Sequence, residues 1–145
     1  MLKEETKKKV IKFSKCWLPT IIWAFVIFKL SSGVVPQVSH LYWPNFAFMK
    51  SAHTFFFGIF AALLYRSLRG EGISRKKATI WAVVITMLYG ASDELHQFFT
   101  QGREARLRDI GFDTIGGIVM VAIIYKLFPK LPNKYLKKVE NLGFI

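Results

Sequence analysis

The sequence predicts an all-α polytopic membrane protein: a four-transmembrane-helix up-and-down bundle forming one domain over residues 1–145. Three observations predict it. Hydrophobic residues make up 52% of the chain and are blocked together. Four blocks approach the roughly 20 mostly apolar residues that a helix needs to cross a ~30 Å hydrocarbon core. Lys and Arg flank those blocks, where they meet lipid head groups and fix orientation. The blocks are expected to be helices, because lipid leaves an open strand without backbone partners.

The elements follow in order. The chain opens on a basic tail, MLKEETKKKVIKFSK, with six lysines. The first span is expected from about Cys16 to Val35. No A-x-A-like cleavage site follows its apolar core, and Ser31-Ser32-Gly33 is a weak substitute, so the segment reads as a retained anchor. The next loop, SSGVVPQVSHLYWPN, has no Lys or Arg. A second span runs from about Phe46 to Tyr65. The linker RSLRGEGISRKK, residues 66–77, carries five basic residues and one acid. A third span runs from about Ala78 to Phe99 and a fourth from about Gly111 to Phe128. A basic tail, 129–145, follows with Lys130, Lys134, Lys137 and Lys138. The positive-inside rule puts both termini and the 66–77 linker in the cytoplasm, and the 31–45 and 100–110 loops outside. Gly58 with Ala62, and Gly116-Gly117, are small enough for close helix approach.

The net charge of +12 raises nucleic acid as a partner, but its placement beside apolar runs points to lipid instead. The single Cys16 excludes an internal disulfide and a Cys-based zinc site. No protein partner is legible.

One stretch stands apart. SDELHQFFTQGREARLRDIGFD, residues 92–113, joins the third span to the fourth and is crowded with carboxylates, with three arginines and a histidine. Arg103, Arg106 and Arg108 fall in a loop expected outside, where orientation disfavours them. They have a task other than orientation, or Glu104 and Asp109 neutralise them. The ionisable residues of the spans gather at this same end: Lys29, Lys50 and His53, then Asp93, Glu94 and His96, then Asp109 and Asp113. An ionisable group at the bilayer centre costs about 2.5–3.5 kcal/mol on insertion scales, so these groups are expected to face inward and pair. Helical spacing supports that. Lys50 and His53 are three apart, Asp93 lies three before His96 and four before Gln97, and Asp109 and Asp113 are four apart.

These residues resemble a known family, the VanZ-like membrane proteins. The resemblance covers roughly residues 17–125. The first span with its Trp and paired serines is IIWAFVIFKLSS, and a Lys-x-x-His pair, Lys50 and His53, opens KSAHTFFFGIFAALLY. Many members carry Asp before that Lys, whereas this chain has Met49. The most specific element is Asp93, Glu94, His96 and Gln97, then Arg103, then Asp109, Asp113 and Gly116. The family is known chiefly for resistance to a glycopeptide antibiotic, teicoplanin. The resemblance implies a multi-pass protein of the bacterial plasma membrane.

The chemistry of the residues leaves three functions open. Arginine forks hold phosphate or carboxylate. Arg103, Arg106 and Arg108, with Lys50, His53, Gln97, Asp113 and Gly116, would then form a binding site for a phospholipid or a lipid-linked cell-wall precursor. Alternatively Asp93, Glu94, His96 and Asp109 supply acid–base or nucleophilic catalysis on a lipid phosphate or pyrophosphate. In a third reading the layer only locks helix register or assembles with a partner. Four carboxylates beside His53 and His96 would also suit a divalent cation, although no spacing identifies one.

Overall fold

The computed structural model describes residues 2–33, 40–103 and 105–144. The expected end of the first span at Val35, and Glu104, lie outside the described residues. Within them the chain is all helical: α1 Leu2–Ser31, α2 Tyr42–Gly70, α3 Arg75–Phe98, α4 Leu107–Leu127, a 3-10 turn Phe128–Lys130, and α5 Asn133–Asn141. Among the described residues, three helical stretches are long and apolar enough to cross a membrane: Lys3–Ser31, Tyr42–Gly70 and Leu107–Lys130. The third expected span is helical over 24 residues but is not among them. Arg75, Lys76 and Lys77 open it, and Asp93 and Glu94 lie near its end, so its apolar run is short.

Two expected tails are structured. Residues 2–15 continue α1 rather than preceding it. That segment holds Lys, Glu and no Gly or Pro, a composition with good helix propensity. In the 129–145 tail, Pro132 starts α5, whose carbonyl accepts from Tyr135 and Leu136. Phe144 then returns to stack edge-on with Phe128, ring centroids 5.8 Å apart.

α2, α3 and α4 pack mutually, and the α2–α4 contact is the most extensive. α1 lies against α2 and only lightly against α3. The apolar core is built mainly by α2, with Phe57, Phe60, Ala61, Leu64 and Tyr65 buried. Ala78 and Ala82 of α3 and Val121 and Ile124 of α4 complete it, and α1 adds Ile27. α1 otherwise exposes Ile21, Ile22 and Phe25, as a lipid-facing helix would.

The helix–helix seams explain the spacing. Gly116 sits directly on the Thr54 backbone, where any Cβ would overlap the Thr54 carbonyl. A Cβ on Gly58 would stand 3.2 Å from the Gly116 carbonyl oxygen. The two glycines therefore let α2 and α4 approach backbone to backbone. α1 packs Ile27, Trp23 and Ala24 against the core and is also held by hydrogen bonds. Trp23 Nε1 donates to the Phe56 carbonyl at 2.9 Å, and the Tyr89 hydroxyl donates to the Ala24 carbonyl at 2.7 Å. Pro19 lies inside α1 and cannot donate to the carbonyl four residues back, that of Lys15. Arg66 Nη1 of α2 reaches this carbonyl at 3.3 Å, and Ser67 Oγ donates to the neighbouring Cys16 carbonyl at 2.8 Å. Arg66 of the neighbouring helix thus supplies the one donor that the proline removes.

The two ends of the bundle differ in charge. Lys15, Arg66, Arg69, Arg75 and the α5 lysines share one end, where Arg66 Nε also donates to the Leu142 carbonyl at 2.5 Å. The carboxylates of α3 and α4 share the other.

Candidate functional site

α3 ends in a buried polar turn. Asp93, Glu94 and Gln97 are each buried although they lie in the last two turns. Asp93 Oδ2 accepts from Ser31 Oγ of α1 at 2.7 Å and from Gln97 Nε2 at 2.8 Å. Glu94 turns toward α4, and its Oε2 accepts from the Arg106 backbone N–H at 2.6 Å. Arg106 is the residue that caps the start of α4, so Glu94 places negative charge at the positive end of that helix.

α2 and α4 meet through an ion pair and a His–Asp hydrogen bond. Lys50 Nζ lies 2.5 Å from Asp109 Oδ2, and His53 Nδ1 lies 2.9 Å from Asp113 Oδ1. The three-residue step on α2 therefore matches the four-residue step on α4, one pair a turn above the other. Asp113 is completely shielded from solvent. Its second oxygen rests against Gly90 of α3, where a Cβ would stand 3.0 Å away. The His53 ring stacks parallel to Phe57, 6.2 Å between centroids. Buried charges of this kind persist only when paired, because desolvation costs several kcal/mol per ion.

Each of three carboxylates retains an oxygen that no protein donor reaches among the described residues: Glu94 Oε1, Asp109 Oδ1 and Asp113 Oδ2. The Asp109 oxygen has only a long approach from Arg108 Nε, at 3.8 Å. Glu94 lies within electrostatic reach of Asp109, His53 and Asp113. Buried polar groups are normally bonded, so three such oxygens in one layer call for an account.

The remaining expected residues lie around this layer. Arg103 donates through Nε to the Gly33 carbonyl at 2.9 Å and through Nη2 to the Leu30 carbonyl at 2.5 Å. It thus closes the C-terminus of α1, where a cation also opposes the negative end of the helix. Burial pulls its pKa below the ordinary guanidinium value, while Asp93 and Glu94 push it back up. Arg108 is exposed, with its guanidinium 5.1 Å from the Phe46 ring centre. His96 packs against Phe28 of α1, ring centroids 4.4 Å apart, and its buried Nδ1 has no hydrogen-bond partner. It makes no hydrogen bond to the carboxylates through its ring. Among the described residues no group of three or more His, Cys, Asp or Glu could hold a metal ion.

Sequence reasoning gave Ser31 no role, though it is the partner of Asp93. The paired serines at the end of the first span were the available signal. Lys29, expected among the inward-facing ionisable groups, is exposed and lines a cavity of about 370 Å3 between α1 and α2. A second cavity of about 410 Å3 lies along the α2–α4 seam below Lys50.

Comparison with known proteins adds a family. The model of the family described as VanZ/LLP1 matches residues 5–129. No curated protein and no solved structure matches the chain.

Proposed function

The chain belongs to the VanZ-like family, and on that premise we propose that it is a multi-pass membrane protein whose polar layer binds the head group of a lipid. The lipid is a phospholipid or a lipid-linked cell-wall precursor, and its capture contributes to resistance against teicoplanin-type glycopeptides. α3 crosses the membrane with the other three long helices. The basic end, with both chain termini, faces the cytoplasm of a bacterial plasma membrane, and the carboxylate layer faces outward at head-group depth.

The observation that carries this is the pair of unpartnered oxygens on Glu94 and Asp109. A layer serving only to lock helix register would gain from bonding each of them, since an unsatisfied buried acceptor costs about 1–3 kcal/mol. Hydroxyl or ammonium donors on a lipid head group would satisfy both, whereas the free oxygen of Asp113 is packed against Gly90 and stays out of their reach. Turnover has less support. The Asp109 and Asp113 carboxylates are already held by Lys50 and His53, and His96 faces Phe28.

The test is to purify the protein in nanodiscs and present a panel of phospholipids and cell-wall lipid precursors. Mass spectrometry then reads the bound and the free lipid, for wild type and Glu94→Gln. Selective retention of an unaltered lipid, weakened in Glu94→Gln, is the expected result. A lipid that loses or transfers phosphate would replace binding with catalysis. Equal retention of every lipid by both proteins would leave only a structural layer.

A further inference from the structure

The cavity between α1 and α2 has an unusual lining. Its body is apolar: Ile27 and Leu30 from α1, with Phe48, Met49, Phe56 and Phe57 from α2. Lys29, Ser31, His53 and Arg103 are its polar members, and no carboxylate lines it. Lys29 is exposed, and its ammonium rests 5.4 Å from the Phe25 ring centre, with no acid paired to it among the described residues. Arg103 commits Nε and Nη2 to α1 carbonyls, and among the described residues no carboxylate pairs with it directly, Asp93 and Glu94 acting on it only through space. The seam cavity on the other face of α2 lacks this character, because its one cation, Lys50, is neutralised by Asp109. A volume of about 370 Å3 is in the range of small-molecule sites, which run from about 300 to 1,000 Å3.

We propose that this slot is the chain-binding half of the lipid site, and that its occupant is an anionic phospholipid. One acyl chain lies between α1 and α2 along Ile27, Met49 and Phe56. The phosphate sits at the cationic lip formed by Lys29 and Arg103, and because no carboxylate lines the slot the same two cations repel the quaternary ammonium of a zwitterionic head group, which favours an anion. His53 and Ser31 line the slot and are bonded to Asp113 and Asp93, so the slot adjoins the carboxylate layer directly. The proposal rests on the lipid-binding function above and narrows its ligand to a class.

The full-length protein is tested in nanodiscs containing equal phosphatidylglycerol and phosphatidylcholine, with retained lipid counted by mass spectrometry after detergent extraction. Wild type is expected to retain phosphatidylglycerol about tenfold over phosphatidylcholine, because the choline cation meets two like charges at the lip. Lys29→Ala should lower that preference several-fold and Lys29→Arg should restore it. Ala52→Phe, which fills the slot without touching charge, should lower retention of both lipids. If Lys29→Ala and Ala52→Phe both retain phosphatidylglycerol like wild type, the slot is empty of lipid and the proposal is overturned. In that case a loss confined to Glu94→Gln would leave head-group binding standing. Loss in the slot variants with Glu94→Gln unaffected would sustain the slot and remove the carboxylate layer from lipid binding. An absence of any retained lipid in wild type overturns both.

Discussion

Gly116 and Thr54 bring the backbones of α4 and α2 into direct contact, with no space for a Cβ on Gly116 beside the Thr54 carbonyl. The two pairs that bridge the same helices, Lys50–Asp109 and His53–Asp113, depend on that approach.

Gly116→Ala is therefore expected to push α4 off α2, loosen both pairs and cost about 2 kcal/mol through overpacking. Gly111→Ala, on the same helix with open space around it, should be neutral or mildly stabilising. Thermal denaturation of the two variants in detergent checks this, and equal melting temperatures would refute the tight seam.

Asp113→Ala removes a fully buried partner of His53. Deleting one member of a buried pair strands the other, and a loss of about 3 kcal/mol is expected. A variant that melts with wild type would mean that the His53–Asp113 contact carries no stability.

Asp93→Asn separates charge from hydrogen bonding. The amide oxygen still accepts from Ser31 and Gln97, so stability should fall by no more than about 1 kcal/mol. Lipid retention that drops while the melting temperature holds would show that the negative charge itself is used.

Arg103→Lys replaces a fork that reaches two carbonyls with a point charge that reaches one. The end of α1 should fray, at about 1 kcal/mol. Hydrogen exchange at Ser31 to Gly33 measures it, and unchanged protection would remove Arg103 as the cap of α1.

Topology is open to a labelling test, since Cys16 is the single cysteine. In a Cys16→Ser background, Gln101→Cys should react with a membrane-impermeant maleimide on intact cells and Ser74→Cys should not. The opposite pattern would invert the proposed orientation.

The polar layer was legible in the sequence because helical spacing is a local property. Lys50 with His53, and Asp109 with Asp113, declare shared faces without any knowledge of the neighbours. Which face meets which is set by the rotation of each helix, and there the sequence was silent. His96 follows Asp93 by three residues, yet it packs on Phe28 while Asp93 bonds Ser31. Arg103 has the chemistry of a phosphate ligand, but the open carbonyls at the end of α1 claim two of its nitrogens, and those carbonyls become visible only when the loop is placed. The third helix was legible as a helix. Its shorter apolar run reflects three cations at one end and Asp93 and Glu94 at the other.

The contact between Gly90 and Asp113 constrains how the chain can change over generations. A methyl group at position 90 would press on a carboxylate that His53 holds in place, so Gly90→Ala arising first is penalised. Once Asp113 has become alanine, the 3.0 Å contact with the carboxylate oxygen is gone and only the 3.3 Å approach to the residue's Cβ remains. The cost of Gly90→Ala thus depends on what stands at position 113, and the order Asp113→Ala before Gly90→Ala is the easier one.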